Sequence, residues 1–353
     1  MKKVLIALGL LVVLGVAGAA GFLWWRDQKI TEFGRTPYGA AEPRLVSIPQ
    51  GTGPKALGNL LASKGVVANA EDFYAYVRRE KVAPKLKAGE YEFAGPLTPA
   101  QVVEKIASGQ VKTYHFTVPE GLRVDEILPI LAASELKLDL AKLKTLAADK
   151  AFVRKAGVPS PAQSLEGFLY PDTYTFTSGA TEESVLSKMT ARTLEEYKKA
   201  NGQRKAGIGL DLLQTLTLGS IVEKETGAPE ERPRIACVFH NRLRLGMKLQ
   251  TDPTVLYAMM LMRGSFVKNI TSKDLVTEHP YNTYTTPGLP PGPIASPGAA
   301  AIQAALNPLD CNDLFFVSRN NGSHVFCPDL KCHNAAVEQW QRAYFRKSKH
   351  TRK

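Results

Sequence analysis

The first pattern in the chain is an unbroken apolar run, Val4 to Trp25, preceded by Lys2 and Lys3. About 20 apolar residues suffice to cross a bilayer. Trp24 and Trp25 fall at the outer end of the run, where an interfacial aromatic belt belongs. The run therefore predicts a transmembrane anchor over residues 1–26, with the N-terminus in the cytoplasm and the rest of the chain outside. A signal peptide cleaved near Ala17-Gly18-Ala19 is the competing reading. The run continues past that site, which favours a retained anchor, and either reading leaves the bulk of the chain extracytoplasmic.

Residues 27–43 are polar and contain Gly and Pro, the texture of a linker. A short pattern then occurs twice, 70 residues apart. Val46-Ser47-Ile48-Pro49-Gln50-Gly51 recurs as Phe116-Thr117-Val118-Pro119-Glu120-Gly121, and Leu57, Leu60, Leu61 and Ala62 align with Ile127, Ile130, Leu131 and Ala132. Each copy reads as an alternating strand, a Pro-x-Gly turn and an amphipathic helix. Ala88 to Phe93 adds a second strand to the first copy. Two copies are too few for a solenoid, so the pattern predicts two small α+β modules, at 44–110 and 111–155.

From Ala156 the texture changes, and residues 156–346 read as one larger mixed α+β domain. Helical periods occupy 184–200, 211–226, 232–246, 253–263 and 297–306, separated by loops rich in Gly, Pro, Tyr, Asn and Thr. Strands are expected at 314–318 and 324–326. A last helix, 335–345, carries Val337, Trp340 and Tyr344 as a core stripe. Residues 347–353 form a basic tail.

One helix carries an acid in an apolar setting. Leu212, Leu213, Leu216, Ile221 and Val222 set its period, and Asp211 with Gln214 reads as the capping box that opens it. Gly227 and Pro229 close it. Glu223 shares a face with Leu216, Gly219 and Ser220, so it is partly withdrawn from water, and it lies in the last turn, where the helix dipole disfavours an anion. Both effects favour a carboxyl that holds its proton and can act as a general acid. Glu225, two residues on, should point elsewhere, with a supporting role open to it.

Three loops exceed what a connector needs. Gln250-Thr251-Asp252-Pro253-Thr254 places Asp252 as an N-cap before a proline. Tyr281-Asn282-Thr283-Tyr284 offers phenol, amide and hydroxyl groups. Gly288-Leu289-Pro290-Pro291-Gly292-Pro293-Ile294 is stiffened by three prolines. Aromatic faces beside amides and hydroxyls suit a sugar.

The net charge of +12 suits an anionic partner such as a membrane surface or cell-wall polymer, and export argues against nucleic acid. Cys237 reads as a buried apolar residue. Two of Cys311, Cys327 and Cys332 can pair in an oxidising compartment, and spacing does not say which. These cysteines with His324 or His333 match no standard zinc pattern. No His-Glu-x-x-His, Gly-x-Ser-x-Gly or P-loop occurs. Acid chemistry on an extracytoplasmic polymer remains, with glycoside cleavage leading.

The ordered set Ser220-Ile221-Val222-Glu223-Lys224-Glu225, Asn241-Arg242-Leu243, Leu249 to Thr254, Tyr281 to Tyr284 and Gly288 to Ile294 resembles the YceG-like family of endolytic murein transglycosylases. Glu166-Gly167-Phe168-Leu169-Tyr170-Pro171-Asp172-Thr173-Tyr174 resembles the motif that opens that family's catalytic domain. The likeness covers nearly the whole chain, as anchor, LysM-like module and catalytic domain. The Cys327–Cys332 segment departs from the pattern.

The resemblance implies a cut within peptidoglycan strands between N-acetylmuramic acid and N-acetylglucosamine. Glu223 would protonate the glycosidic oxygen, and the resulting carboxylate would take the proton of the muramoyl C6 hydroxyl as it attacks C1, leaving a 1,6-anhydro end. Glu225, Gln250, Thr251, Asp252, Tyr281, Asn282, Tyr284 and His324 are the candidates for holding glycan. Neither metal nor organic cofactor is implied. Peptidoglycan synthases are expected partners, the bacterial cytoplasmic membrane the location, and termination of nascent strands the role. Two rivals stand beside this reading. One is a hydrolase with Asp252 or Asp172 as second carboxylate, and the other a non-catalytic wall-binding scaffold.

Overall fold

The computed structural model describes residues 2–225, 227–265 and 267–343. Tyr344 and the basic tail at 347–353 lie outside them. The chain divides into two compact units, Met1–Tyr114 with Thr175–Gly179, and His115–Tyr174 with Ala180–Lys353. Both mix helices with short two-stranded sheets, an α+β architecture.

The first unit runs α1 (Lys2–Arg35), β1 (Arg44–Ile48), α2 (Pro54–Ser63), α3 (Ala70–Arg79), β2 (Gly89–Phe93) and α4 (Pro99–Ser108). α1 is long and apolar enough to cross a membrane. It does not stop at Trp25. The expected linker is helical as far as Arg35, because its last turns have a surface to bury against: Ile30 is buried, Phe33 joins the core of this unit, and Gly34 lies under the Tyr76 ring of α3. β1 and β2 pair antiparallel from Arg44 opposite Phe93 to Ile48 opposite Gly89. The alternation read in the sequence puts Val46, Ile48, Tyr91 and Phe93 inward, over Leu57, Leu61 and Phe73 of the two intervening helices. The order is thus β-α-α-β, with α4 added behind a complete capping box made by Thr98 and Gln101.

β3 (Thr113–Thr117) and β4 (Thr173–Thr177) form the second sheet. Between them come α5 (Val124–Ala133), α6 (Leu140–Ala148) and α7 (Lys150–Lys155). The second strand–turn–helix copy is therefore present as β3 and α5. It does not stand alone at 111–155, however. α6 packs against α8 (Glu182–Asn201), and residues 115–174 belong to the second unit. Sequence similarity between the copies reported local structure, whereas their partners differ.

The rest of the second unit is α9 (Leu212–Glu225), α10 (Arg232–Arg244), α11 (Asp252–Arg263), α12 (Ser272–Val276), α13 (Ala299–Leu306), β5 (Phe315–Ser318), β6 (His324–Cys327) and α14 (Leu330–Val337), the last continuing into a π-helical segment, Glu338–Ala343. α9 is the central element. Every residue from Thr215 to Val222 is buried, because α13, α10 and α11 surround it. Its predicted capping box is formed, with the Asp211 amide donating to Gln214 Oε1 at 3.0 Å and the Gln214 amide to Asp211 Oδ1 at 2.8 Å.

All four cysteines are paired. Cys237, expected as an isolated apolar residue, joins Cys311 across 74 residues, and Cys327 joins Cys332. The apolar neighbours of Cys237 reflect the buried face of α10 and hide its covalent partner. No group of three or more potential metal ligands occurs among the described residues.

Candidate active site

α9 ends at Glu225, and its last turn sends its two acids to different places. Glu223 points inward: its side chain is 6% exposed. Arg232 Nη2, at the start of α10, donates to Glu223 Oε1 at 2.8 Å, and the Gly298 amide, capping α13, donates to Oε2 at 3.0 Å. Glu120 approaches the same guanidinium at 3.8 Å. The burial read from the sequence is thus present, but what covers Glu223 is an ion pair and a backbone amide rather than an open cleft. Glu223 ties three helices together at the point where α9 stops. Removing one partner of such a pair strands the other charge inside. Glu223→Gln is therefore expected to lower unfolding stability by about 3 kcal/mol, read from urea denaturation.

Glu225 has the other surroundings. It lines a cleft of about 520 Å³ shared with Gln250, Asp252, Tyr284 and His324. Five of the nine residues singled out in the sequence meet there. The loop holding them is built from the Thr-rich segment. Gln250 adopts positive φ (52°), its amide donates to the Thr283 carbonyl, and the Thr251 amide donates to Thr283 Oγ1 at 3.1 Å. Thr251 is itself buried, and its hydroxyl donates to Glu225 Oε1. Thr251, not Asp252, is the N-cap position of α11. Asp252 occupies the first helical position instead, and its Oδ1 accepts from the Tyr284 hydroxyl at 2.7 Å.

Burial pushes the Glu225 carboxyl up to about 7. The negative charge of Asp252 adds to this, while the Thr251 hydroxyl and the Arg242 guanidinium oppose it. Tyr284 is raised as well, by burial and then by its bond to Asp252, so it remains a donor. Arg242 was quoted in the sequence only as part of a motif. Its guanidinium is a buried strut: Nε donates to the Leu314 carbonyl at 2.7 Å, Nη1 to the Leu249 carbonyl at 2.8 Å, and the group lies over the Phe315 ring at 5.0 Å. It fixes the loop before α11 against β5, whose Phe315 and Phe316 form the opposite wall of the cleft.

Besides Glu223 and the buried Thr251, two more candidates are absent from the cleft lining. Asn282 is fully buried and spends its side chain on its own loop, with Nδ2 donating to the carbonyls of Asp274 and Thr277 and Oδ1 accepting from the Tyr284 amide. It shapes the loop and has no group left for glycan. Tyr281 packs on Tyr257, with ring centroids 4.8 Å apart, away from the cleft lining. The Pro-rich loop also has a packing role. Pro293 sits so close to Gly167 that a Cβ there would approach it to 2.2 Å, and Gly167 has φ +77°.

A second acid was not anticipated. Glu166, beside Gly167, is also pushed up to about 7 by burial, with Oε1 accepting from the Val124 amide at 3.1 Å and Oε2 facing the Tyr257 hydroxyl at 3.4 Å. It is absent from the lining of the large cleft.

Comparison with known proteins bears on these residues directly. A sequence model of the YceG-like family matches residues 46–339, the greater part of the chain. The chain belongs to the YceG-like family. Among relatives, the endolytic murein transglycosylase of Bacillus subtilis (strain 168) is 32% identical over 312 residues, covering 84% of each chain. The endolytic murein transglycosylase of Streptococcus pneumoniae serotype 2 (strain D39 / NCTC 7466) is 28% identical over 343 residues, covering 87% of this chain and 59% of that protein. A YceG-like protein of Listeria monocytogenes, solved by crystallography at 2.6 Å, aligns at a TM-score of 0.55 with 33% identity, over 84% of this chain and 99% of that one. The family match runs through α9, the loop before α11 and β6, so the cleft lies within the shared region except for Gln341 of its lining.

Proposed function

We propose that this protein is a peptidoglycan lytic transglycosylase whose proton donor is Glu225. The observation that carries the reading is a carboxyl raised to about 7, on the lining of the one cleft where Gln250, Asp252, Tyr284 and His324 converge. A raised carboxyl still holds a proton at neutral pH and can give it to a glycosidic oxygen. The relatives named as endolytic murein transglycosylases supply the substrate, a glycan strand of peptidoglycan. The bond cut is the one between N-acetylmuramic acid and N-acetylglucosamine, with the muramoyl C6 hydroxyl attacking C1 to leave a 1,6-anhydro end. Gln250, Asp252 and Tyr284 would bind sugar hydroxyls, and Phe315 and Phe316 its C–H faces. Glu223 then serves the site through the end of α9.

Further parts of the reading rest on the first unit. The β-α-α-β order is that of a LysM-like module and would hold glycan, while α1 would anchor the protein in the cytoplasmic membrane with the N-terminus inside. Action on nascent strands beside a peptidoglycan synthase follows from that location. Deleting residues 44–110 should reduce binding to isolated sacculi, and unchanged binding would reduce this module to a spacer.

The decisive experiment incubates the full-length protein in detergent with isolated peptidoglycan and weighs the glycan ends by mass spectrometry. Anhydro ends are expected. Reducing ends, one water heavier, would make the protein a hydrolase with Asp252 as second carboxylate. No cleavage under any condition would favour a wall-binding scaffold.

The raised carboxyl also sets a pH dependence. As a general acid Glu225 works protonated, so kcat/KM is expected to fall as pH rises through about 7. The folded state binds the Glu225 proton more tightly than the unfolded chain does. Its contribution to stability is therefore present below the ordinary carboxylate range and is lost as pH rises from there to about 7. A pH–rate profile flat from 6 to 8.5 would contradict this assignment of the acid.

A further inference from the structure

The cut described above needs two proton transfers, one onto the leaving oxygen and one off the attacking C6 hydroxyl. The cleft contains a second group fit for the latter. His324 opens β6 and lines the cleft with Glu225. Its ring is fixed on two sides. Nδ1 is 2.6 Å from Glu231 Oε2, and the His324 amide donates to Oε1 of the same carboxylate at 2.9 Å, so Glu231 grips the residue by side chain and backbone together. The edge of the ring meets Phe316, with centroids 5.4 Å apart and planes at 86°. Glu231 is 13% exposed and His324 10%, so the pair is shielded over most of its surface. A carboxylate accepts, so Nδ1 carries the hydrogen, and in the neutral imidazole Nε2 is the nitrogen with the lone pair. Among the described residues no protein group hydrogen-bonds to Nε2. Glu231 comes from the 3-10 turn just after α9, so the short segment that carries Glu225 also carries the group that orients His324.

We propose that His324, oriented by Glu231, is the general base that removes the C6 hydroxyl proton, while Glu225 acts as the acid. This rests on the transglycosylase reading above. In the step, His324 Nε2 takes the hydroxyl proton as the C6 oxygen bonds to C1. The C1–O4 bond breaks, its electron pair goes to O4, and O4 takes the Glu225 proton. The imidazolium is balanced across Nδ1 by the Glu231 carboxylate, and the cycle closes when its proton returns to the Glu225 carboxylate through water in the open cleft. No water is consumed and nothing is oxidised. The one-group scheme, in which Glu225 must give and then take a proton, becomes unnecessary. The other cleft histidine suits the role less well. Burial, then Arg242, lowers the proton affinity of His333, and its Nδ1 is buried without a partner to set the tautomer.

The test uses full-length protein in detergent and soluble uncrosslinked glycan strands, with wild type, Glu225→Gln, His324→Ala and Glu231→Gln compared. For His324→Ala, kcat should fall by about 10²-fold or more while KM stays near the wild-type value, as expected for loss of a general base. Added imidazole should restore part of that turnover, and should do nothing for Glu231→Gln, which keeps its ring but loses the charge that holds it. Circular dichroism confirms folding, and His324→Gln replaces the alanine variant if that one fails to fold. Turnover of the histidine variant within about three-fold of wild type would overturn the proposal. A loss confined to KM, or one that imidazole leaves untouched, would also overturn it. Reducing ends from wild type, or full activity in Glu225→Gln, would instead refute the underlying reading, so the two failures are told apart.

Discussion

Glu225→Gln should reduce cleavage of glycan strands by about 10³-fold or more, at the upper end of what a positioned proton donor contributes. The amide keeps the shape of the acid and can still accept from the Thr251 hydroxyl, so folding is expected to survive, and the loss should fall on kcat. Burial disfavours the ionised form of this carboxyl, so replacing it by an amide removes no charge that the fold relies on. The thermal midpoint should therefore stay level or rise. The neighbouring Glu223→Gln variant gives the opposite pair of results, with a lower midpoint from the stranded Arg232 and cleavage that persists. Product analysis and thermal melts on the two variants separate the acid from the strut. If Glu223→Gln were the inactive variant and Glu225→Gln the active one, the assignment would be reversed.

Opening the Cys237–Cys311 bridge should cost about 4 kcal/mol, since a crosslink spanning 74 residues removes much of the freedom of the unfolded chain. The bridge stands beside other ties between the same segments. Asn241 Nδ2 donates to the carbonyls of Cys311 and Asp313, and Arg234 pairs with Asp313 at 2.7 Å. Together they fix the approach to β5, which carries Phe315 and Phe316 into the cleft wall. Cys237→Ser with Cys311→Ser, melted beside wild type in chemical denaturant, gives the number. The Cys327–Cys332 bridge closes a loop of only a few residues and should matter less by the same measure. Equal losses from the two would contradict the chain-entropy account.

What the sequence disclosed and what it hid follow a physical line. Elements set by local periodicity and capping were legible. The box at Asp211 and Gln214, the alternation at Val46 and Ile48, and the strands at 315–318 and 324–327 all stand where local chemistry put them. Contacts set by distant partners were not. Helical periodicity showed that Glu223 faces inward, but a period says nothing about what stands opposite, and Arg232 with the Gly298 amide stands there. Glu225 reads from the sequence as a supporting, glycan-holding candidate rather than the acid, because two residues along a helix turn a side chain through about 200°. That turn carries it off the packed face and onto the side met by the 250–252 loop. Asn282 looked like a sugar ligand because its type is right, yet every polar atom of its amide is taken by the loop it shapes. Asp252 and Cys237 failed in the same way: a good local reading was overridden by Tyr284 in one case and by Cys311 in the other.

As the proposed anchor, the unbroken α1 would also act as a ruler. If the span ends at Trp25, as the sequence predicts, the helical residues to Arg35 add a shaft of about 15 Å, at 1.5 Å per residue, before the chain first turns. Ile30 and Gly34 lock the upper part of that shaft to the module built on β1 and β2. Height above a bilayer and rotational bearing would then be set by the same few residues. One residue inserted between Arg26 and Lys29 would raise the module only slightly but would swing it by about 100° about the helix axis. The glycan-holding face proposed for that module would then meet strands at one level and from one direction, and the phase of a helix would become a setting for where along the thickness of the wall a strand is caught.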